Sequence, residues 1–244
     1  SAASDVYKRQ VFDLYGTLVD IRTNENKAYL WDKMTEIMGF YGAVYERQEL
    51  KQKYQLYSKE LEEKMKETEP YPEIDLAKVF RRLFEEKQVK IEEEKVEFNM
   101  NMFRVVSTKF IRLYDGVIPF LEELKRKGKK VYLLSNAQKN FTRPELAYLG
   151  IEKYFDGILI SSEEGCKKPG KSFYAKLLER YHLNPKESIM IGNDSISDIR
   201  GSYEMGMDSL YIHTEISPEC VEDLKSKYTI MDGDFRKVSG MILK

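Results

Sequence analysis

Val11-Phe12-Asp13-Leu14-Tyr15-Gly16-Thr17-Leu18-Val19-Asp20 is the stretch on which the reading of this chain turns. Val11 and Phe12 read as the end of a buried strand, Asp13 stands where that strand stops, and Gly16 permits a tight turn. In open parallel sheets, ligands collect beyond the carboxyl ends of the strands. An acid at that place is therefore a candidate for chemistry as well as for turn formation.

Downstream of Asp20 the period changes. From about Ile21 to Phe110 the apolar residues recur at helical spacing, and the segment reads as helices only. Leu30, Trp31, Met34, Ile37 and Met38 form one stripe, with Asn24 as its expected cap and Gly39 and Gly42 as a stop. Leu50, Tyr54, Tyr57, Leu61 and Met65 form a second, ending before Pro70 and Pro72. Leu76, Val79, Phe80, Leu83 and Phe84 follow Asp75, a further cap, and Val96, Met100, Phe103 and Phe110 mark a fourth helix. Aromatic residues at this spacing are first of all core. The Glu and Lys runs beside them are solvated faces.

Beyond Leu113, short apolar runs alternate with helical stretches, as in a parallel sheet with crossover helices. Strands are expected at Lys130–Ser135, Gly157–Ser161, Ser188–Gly192 and Ser209–His213, with a short one at Tyr228–Ile230. The simplest architecture is an α/β domain with an all-helical insertion after its first strand: residues 11–20 and 111–244 as the core and 21–110 as the insertion. Lys8, Arg9 and Gln10 fit poorly at the start of a strand buried on both faces. Residues 1–10 are accordingly expected to be a non-native leader.

Composition narrows the function classes. The 244 residues carry 40 basic and 41 acidic side chains, a formal net charge of -1, so there is no global footprint for nucleic acid or an anionic membrane. No run approaches the roughly 18 apolar residues of a membrane-spanning helix, and the chain reads as cytoplasmic with Cys166 and Cys220 as free thiols. Two histidines rule out a multi-histidine zinc site, which leaves carboxylates as the main carriers of chemistry.

Polar residues stand at four strand ends: Asp13, then Ser135 and Asn136, then Lys168-Pro169, then Asp194 and Asp198. A carboxylate nucleophile, acids able to share a hard cation, a hydroxyl and a lysine are the parts needed to attack a phosphoryl group and stabilise its transfer. Over nearly its whole length the chain resembles the haloacid dehalogenase superfamily. Val11–Asp20 is similar to that family's first motif and Leu134-Ser135-Asn136 to its second. Lys168-Pro169 with Tyr174 is similar to the third, and Gly192-Asn193-Asp194-Ser195-Ile196-Ser197-Asp198-Ile199 to the fourth. The resemblance implies a Rossmannoid parallel-sheet core and a helical cap that selects substrates.

By position, it implies Asp13 as nucleophile, Thr17, Ser135 and Asn136 as contacts to the transferring group, and Lys168 as the neutralising cation. Mg2+ would be held by Asp13, the carbonyl of Tyr15 and Asp194, with Asp198 bound through water or holding Lys168. The partner would be a small phosphorylated or halogenated molecule.

Tyr15 departs from the phosphatase pattern, which carries a second aspartate there as general acid and base. A phenol of ordinary pKa is a poor base at neutral pH. Tyrosine at this place resembles the family's 2-haloacid dehalogenases, whose departing halide needs no proton, yet those enzymes work without metal and lack an acid at the position of Asp194. A buried acid beside Asp13 is costly without a cation. The resulting reading is a magnesium-dependent phosphatase acting through an aspartyl-phosphate. The alternatives are a 2-haloacid dehalogenase and a catalytically weak small-molecule-binding relative. Tyr45, Arg47 and Tyr54 are candidates for substrate contacts from the helical segment.

Overall fold

The computed structural model describes residues 6–243. The elements in chain order are β1 (Arg9–Phe12), β2 (Val19–Thr23), α1 (Ala28–Phe40), α2 (Arg47–Met65), α3 (Leu76–Glu86), α4 (Glu93–Ser107), β3 (Thr108–Leu113), α5 (Val117–Arg126), β4 (Lys130–Ser135) and α6 (Lys139–Leu149). They continue with β5 (Gly157–Ile160), α7 (Ser161–Glu164), α8 (Lys171–Arg180), β6 (Ser188–Gly192), α9 (Gly201–Glu204), β7 (Asp208–Ile212), β8 (Tyr228–Ile230) and α10 (Val238–Ile242).

Six strands form one parallel sheet in the order β5-β4-β1-β6-β7-β8. Side chains alternate across it. Phe12, Leu133, Ile189, Ile191, Leu210 and Ile212 face the cluster closed by α5 and the C-terminal turn, while Val11, Tyr132, Leu134, Leu159 and Met190 face Phe173, Tyr174 and Leu177 of α8. This is the Rossmannoid arrangement, with the order reversing beside β1. Such a reversal is where a doubly wound sheet opens a crevice for ligands.

The helices between β1 and β4 bury a separate core. Leu30, Trp31, Met34, Tyr54, Phe80, Leu83, Phe103 and their neighbours pack together, joined from the main domain by Phe141 of α6, which stacks on Phe103. Asp75 caps α3 by accepting from the Ala77 amide. Asn24 does not cap α1: its side chain accepts from the Asn26 amide in a turn, and the helix starts at Ala28 behind Lys27.

Two expectations change at the edges of this insertion. The segment is not helical throughout, because β2 and β3 form an antiparallel ribbon that pairs Val19 with Leu113 and Ile21 with Ile111. Each strand is too short for its alternation to stand out against the flanking helices. Of the expected leader, residues 1–5 lie outside the described residues, but Tyr7 is buried in the core and β1 begins at Arg9, in register with Lys130 and Ser188. Lys8 and Arg9 sit at the open end of the strand, where polar side chains reach solvent. Gln10 is the real misfit: it is buried, its Nε2 donates to the Tyr7 carbonyl, and its Oε1 has no hydrogen-bond partner among the described residues.

Among the described residues no helix is long and apolar enough to cross a membrane. Both cysteines are free.

Candidate active site

Asp13 leaves the end of β1 with its amide bonded to the Ile191 carbonyl, and the chain then turns sharply: the amides of Thr17, Leu18 and Val19 all return to the Leu14 carbonyl. Gly16 has φ +86° at the tip of that turn. A Cβ there would lie 2.1 Å from Asn193 Nδ2, so the residue must be glycine for backbone reasons and for close approach alike. The turn brings the Thr17 hydroxyl back to donate to Asp13 Oδ2 at 3.0 Å.

Lys168 reaches Asp13 from the loop after β5. Its ammonium is buried and donates to Asp13 Oδ1 (3.0 Å), the Leu134 carbonyl (2.6 Å) and Asp198 Oδ1 (2.7 Å), which uses its three protons. Burial opposes the charge on Lys168, but the carboxylates of Asp13 and Asp198 outweigh it and raise its pKa above the ordinary value. Asp198 is equally buried, and its Oδ2 accepts from the amides of Asn193 and Asp194 (3.1 Å each). Burial, followed by the charge of Asp13, pushes its carboxyl up to about 7 against the pull of Lys168. Glycine is again required, because a Cβ on Gly192 would sit 2.4 Å from the Asp198 carboxyl. Tyr174 fixes the same segment by donating to the Ser197 carbonyl at 2.6 Å.

Phe12 pairs with Leu133, which places Ser135 one step beyond Asp13 on the neighbouring strand. The Ser135 hydroxyl is buried and has no hydrogen-bond partner among the described residues. A buried hydroxyl left without a partner is expensive, of order 1–3 kcal/mol, and such a group at a strand end is suited to receive a ligand. Asn136 does something else. Its Nδ2 donates to the Lys168 carbonyl and its Oδ1 accepts from the Lys168 amide, both at 2.9 Å, so it clamps the lysine loop and has one N–H beyond that clamp.

The acids of the fourth motif divide their work. Asp194 caps the π-helical turn Ser195–Arg200, its Oδ1 accepting from the amides of Ile196 and Ser197. Asp198 holds Lys168. Among the described residues no group of three or more His, Cys, Asp or Glu is arranged to hold a metal ion, and the expected ligand set has only two carboxylates, Asp13 and Asp194, beside the Tyr15 carbonyl.

Asn193, which sequence reasoning passed over, occupies the place beside Asp13. Its side-chain Nδ2 donates to Asp13 Oδ2 at 2.8 Å and lies 3.3 Å from both the Tyr15 carbonyl and Thr17 Oγ1, while its Oδ1 accepts from the Ser217 hydroxyl at 3.1 Å. The signal was present in Gly192-Asn193, but the adjacent acid carried the more obvious charge.

Tyr15 points away from the nucleophile and toward the helical insertion. Its hydroxyl donates to Glu145 Oε1 (2.5 Å), with the Thr142 hydroxyl at 2.9 Å. Arg104 of α4 pairs with the same carboxylate (Nε to Oε2, 2.8 Å) and lies over the Tyr15 ring. Burial and the Glu145 charge, partly opposed by Arg104, raise the Tyr15 pKa further above its ordinary value. The phenol keeps its proton and gives it to Glu145. Neither Arg104 nor Glu145 belongs to a motif, and nothing in their spacing announces them.

The three candidates from the insertion stay within it: Tyr45 donates to the Leu83 carbonyl, Arg47 pairs with Asp32, and Tyr54 donates to Glu25. Tyr54 also lines a cleft of about 420 Å³ that reaches Gln138 of the main domain.

A carboxylate, a buried lysine and an open hydroxyl meet beyond the carboxyl ends of neighbouring inner strands of one Rossmannoid sheet. A family model for haloacid dehalogenase-like hydrolases matches residues 7–206, and the chain belongs to that family. It is similar to the phosphoserine phosphatase of Thermus thermophilus, 29% identical over 126 residues that cover 52% of this chain and 49% of that protein. It is also similar to the glyceraldehyde 3-phosphate phosphatase of Methanothermobacter thermautotrophicus, 29% identical over 128 residues covering 52% and 57%. The chain spans about half the length of the curated relatives it matches.

In fold it is similar to the 2-haloacid dehalogenase from Pseudomonas syringae pv. Tomato DC3000, with a TM-score of 0.66, 17% identity and coverage of 96% and 97%. It is likewise similar to a HAD phosphatase from Thermococcus onnurineus, with a TM-score of 0.60, 17% identity and coverage of 96% of each chain.

Proposed function

We propose that this chain is a magnesium-dependent phosphatase of small phosphorylated molecules, working through an aspartyl-phosphate on Asp13. The observation that carries the reading is the convergence of Lys168 on Asp13 beside the open hydroxyl of Ser135. The Asp13 carboxylate attacks phosphorus, forming an O–P bond as the ester oxygen departs with the bonding pair. Water then attacks the phosphorus of the aspartyl-phosphate, releasing phosphate and restoring the carboxylate. Lys168 offsets charge at Asp13, and Ser135 donates to an oxygen of the transferring group.

Magnesium fits the oxygens present. Asp13 Oδ2 and the Tyr15 carbonyl stand 2.8 and 3.3 Å from the Asn193 amide nitrogen, so two oxygens of the kind a hard cation takes face one point. Asp13, the Tyr15 carbonyl and Asp194 would hold the ion, with Asp198 holding Lys168. When bound, it supplies a positive field for the phosphoryl oxygens.

Tyr15 favours a second reading, the 2-haloacid dehalogenase, because its proton is committed to Glu145 and no acid stands ready for a leaving alkoxide. The relatives similar in sequence are named as phosphatases, which weighs toward phosphate. The experiment is a paired assay. Magnesium-dependent phosphate release from p-nitrophenyl phosphate is expected; metal-independent chloride release from a 2-chloroacid, with no phosphate release, overturns the proposal in favour of the dehalogenase. Absence of both activities overturns it in favour of a binding protein. With Tyr15 committed, aryl phosphates should be hydrolysed much faster than alkyl phosphates, and equal rates would show that another group donates the proton.

A further inference from the structure

The insertion reaches the lysine loop with its main chain as well as its side chains. Between α2 and α3 the chain runs antiparallel to Gly165-Cys166-Lys167. The Lys167 amide donates to the Tyr71 carbonyl at 2.9 Å, the Glu73 amide donates to the Gly165 carbonyl at 3.3 Å, and Pro72 stands opposite Cys166 between those two bonds. The central residues of such a pair do not bond to each other and their main-chain groups point away, so a proline fits there without the loss of a hydrogen bond. Gly170 admits the close approach, because a Cβ on it would lie 3.1 Å from Tyr71 Cβ.

Side chains fasten the segment to a second loop. Glu73 Oε1 accepts from the Ser161 hydroxyl at 2.8 Å, and the same Oγ accepts from the Ala137 amide at 2.8 Å. Gln138 donates to the Ile74 carbonyl at 2.8 Å and accepts from the Leu76 amide at 3.0 Å. Residues 71–76 therefore rest on both loops that surround Lys168. Asn136 holds the Lys168 amide from the main domain, and the insertion holds the amide one residue earlier. The Lys168 ammonium must meet Asp13, the Leu134 carbonyl and Asp198 at 3.0, 2.6 and 2.7 Å, which leaves little room for drift of its backbone.

We infer that Tyr71-Pro72-Glu73 is a positioning element for Lys168: this segment of the insertion stays seated on the lysine loop through turnover and behaves as part of the main domain. Movement that admits substrate is left to the helices on either side of it. The inference goes beyond the phosphatase reading and rests on it only for Lys168 as the cation facing the nucleophile, a role that either ester chemistry requires.

The test joins the two segments covalently. Opposed residues in a pair of this kind have Cα atoms about 4.5 Å apart, within the span of a disulfide, so Pro72→Cys should bond to Cys166 on oxidation. A Cys220→Ser background leaves no other thiol. The oxidised protein is expected to hydrolyse p-nitrophenyl phosphate at a rate within about threefold of the reduced one. Loss of turnover that a reductant restores would show that the segment must leave the loop, and thiols that do not join would show that they are not opposed; either result overturns the inference. Glu73→Ala with Gln138→Ala removes the side-chain fastenings and should lower kcat at least about tenfold with KM little changed. Adding the disulfide to that variant should restore kcat, a rescue that general damage to the fold would not show, and Glu73→Gln alone, which keeps an acceptor for Ser161, should stay near wild type. An unchanged kcat in the double variant also overturns the inference. Hydrogen exchange of the Lys167 amide, slow in the wild type and fast in the double variant, reads the contact without substrate. A protein with that response that hydrolyses no phosphate ester keeps the inference and loses the proposed function; a phosphatase whose kcat and exchange ignore the double variant does the reverse.

Discussion

The strand ends and the helical insertion use side chains in opposite ways. At the strand ends, a few residues in short turns meet from distant parts of the sequence. Asp13, Ser135, Lys168, Asn193 and Asp198 are placed by sheet register and by glycines that admit close approach. In the insertion, polar groups at comparable depth mostly satisfy their own layer, as Tyr45 does on the Leu83 carbonyl and Tyr54 on Glu25. Arg104 crosses from α4 to Glu145 on α6 and covers Tyr15, Gln138 bonds the Leu76 amide and the Ile74 carbonyl, and Ser161 donates to Glu73. The candidate site is built from turns, and the insertion is tied to the core by several polar contacts.

Breaking the buried ion cluster should have the largest effect on this contrast. Lys168→Met leaves Asp198 and Asp13 without their shared cation, and uncoupling one partner of a buried pair costs about 3–5 kcal/mol. Denaturant unfolding should show that loss together with loss of turnover; a stable, active variant would mean that the cluster is dispensable.

Gly16→Ala should come next. A positive φ alone costs an L-residue about 1–2 kcal/mol, and the added Cβ collides with Asn193 as well. A lower melting temperature with sharply reduced activity is expected, whereas wild-type behaviour would show that the turn relaxes freely.

Tyr15→Phe sharpens the comparison at the contact between the two regions. Removing a hydrogen bond to a charged acceptor costs about 1.5–3 kcal/mol, while Glu145 keeps Arg104. Stability should fall with kcat on aryl phosphates changed only a few fold. A collapse of kcat would return Tyr15 to the chemistry.

The smallest effect is expected within the insertion. Arg47→Ala removes an exposed pair with Asp32, worth about 0.5 kcal/mol or less, and should leave kcat and KM alone. A large rise in KM would mean that this helix reaches substrate.

The same contrast explains what the sequence discloses. Asp13, Ser135 and Lys168 are legible because each follows a recognisable strand and local spacing fixes its place. Motif four was legible only in outline. Its charges drew attention to Asp194, while the π-helical turn that Asp194 caps and the Asn193 amide that turn sets beside Asp13 are not readable from local spacing. The clamp of Asn136 on the Lys168 backbone was not legible because the two lie 32 residues apart. Arg104 and Glu145 are 41 residues apart on helices of unexceptional pattern, so only packing brings them together. The ribbon β2–β3 was missed because pairing across the insertion is non-local.

The central claim is that Asp13 receives the phosphoryl group. Rapid denaturing quench of the protein with a phosphorus-labelled aryl phosphate and Mg2+ tests it directly. The account predicts label on the peptide containing Asp13, sensitive to hydroxylamine and absent in Asp13→Asn, whose turnover falls by about 10⁴-fold or more, as expected for loss of a nucleophile. Phosphate release with no labelled protein, at near-wild-type rate in Asp13→Asn, would contradict it.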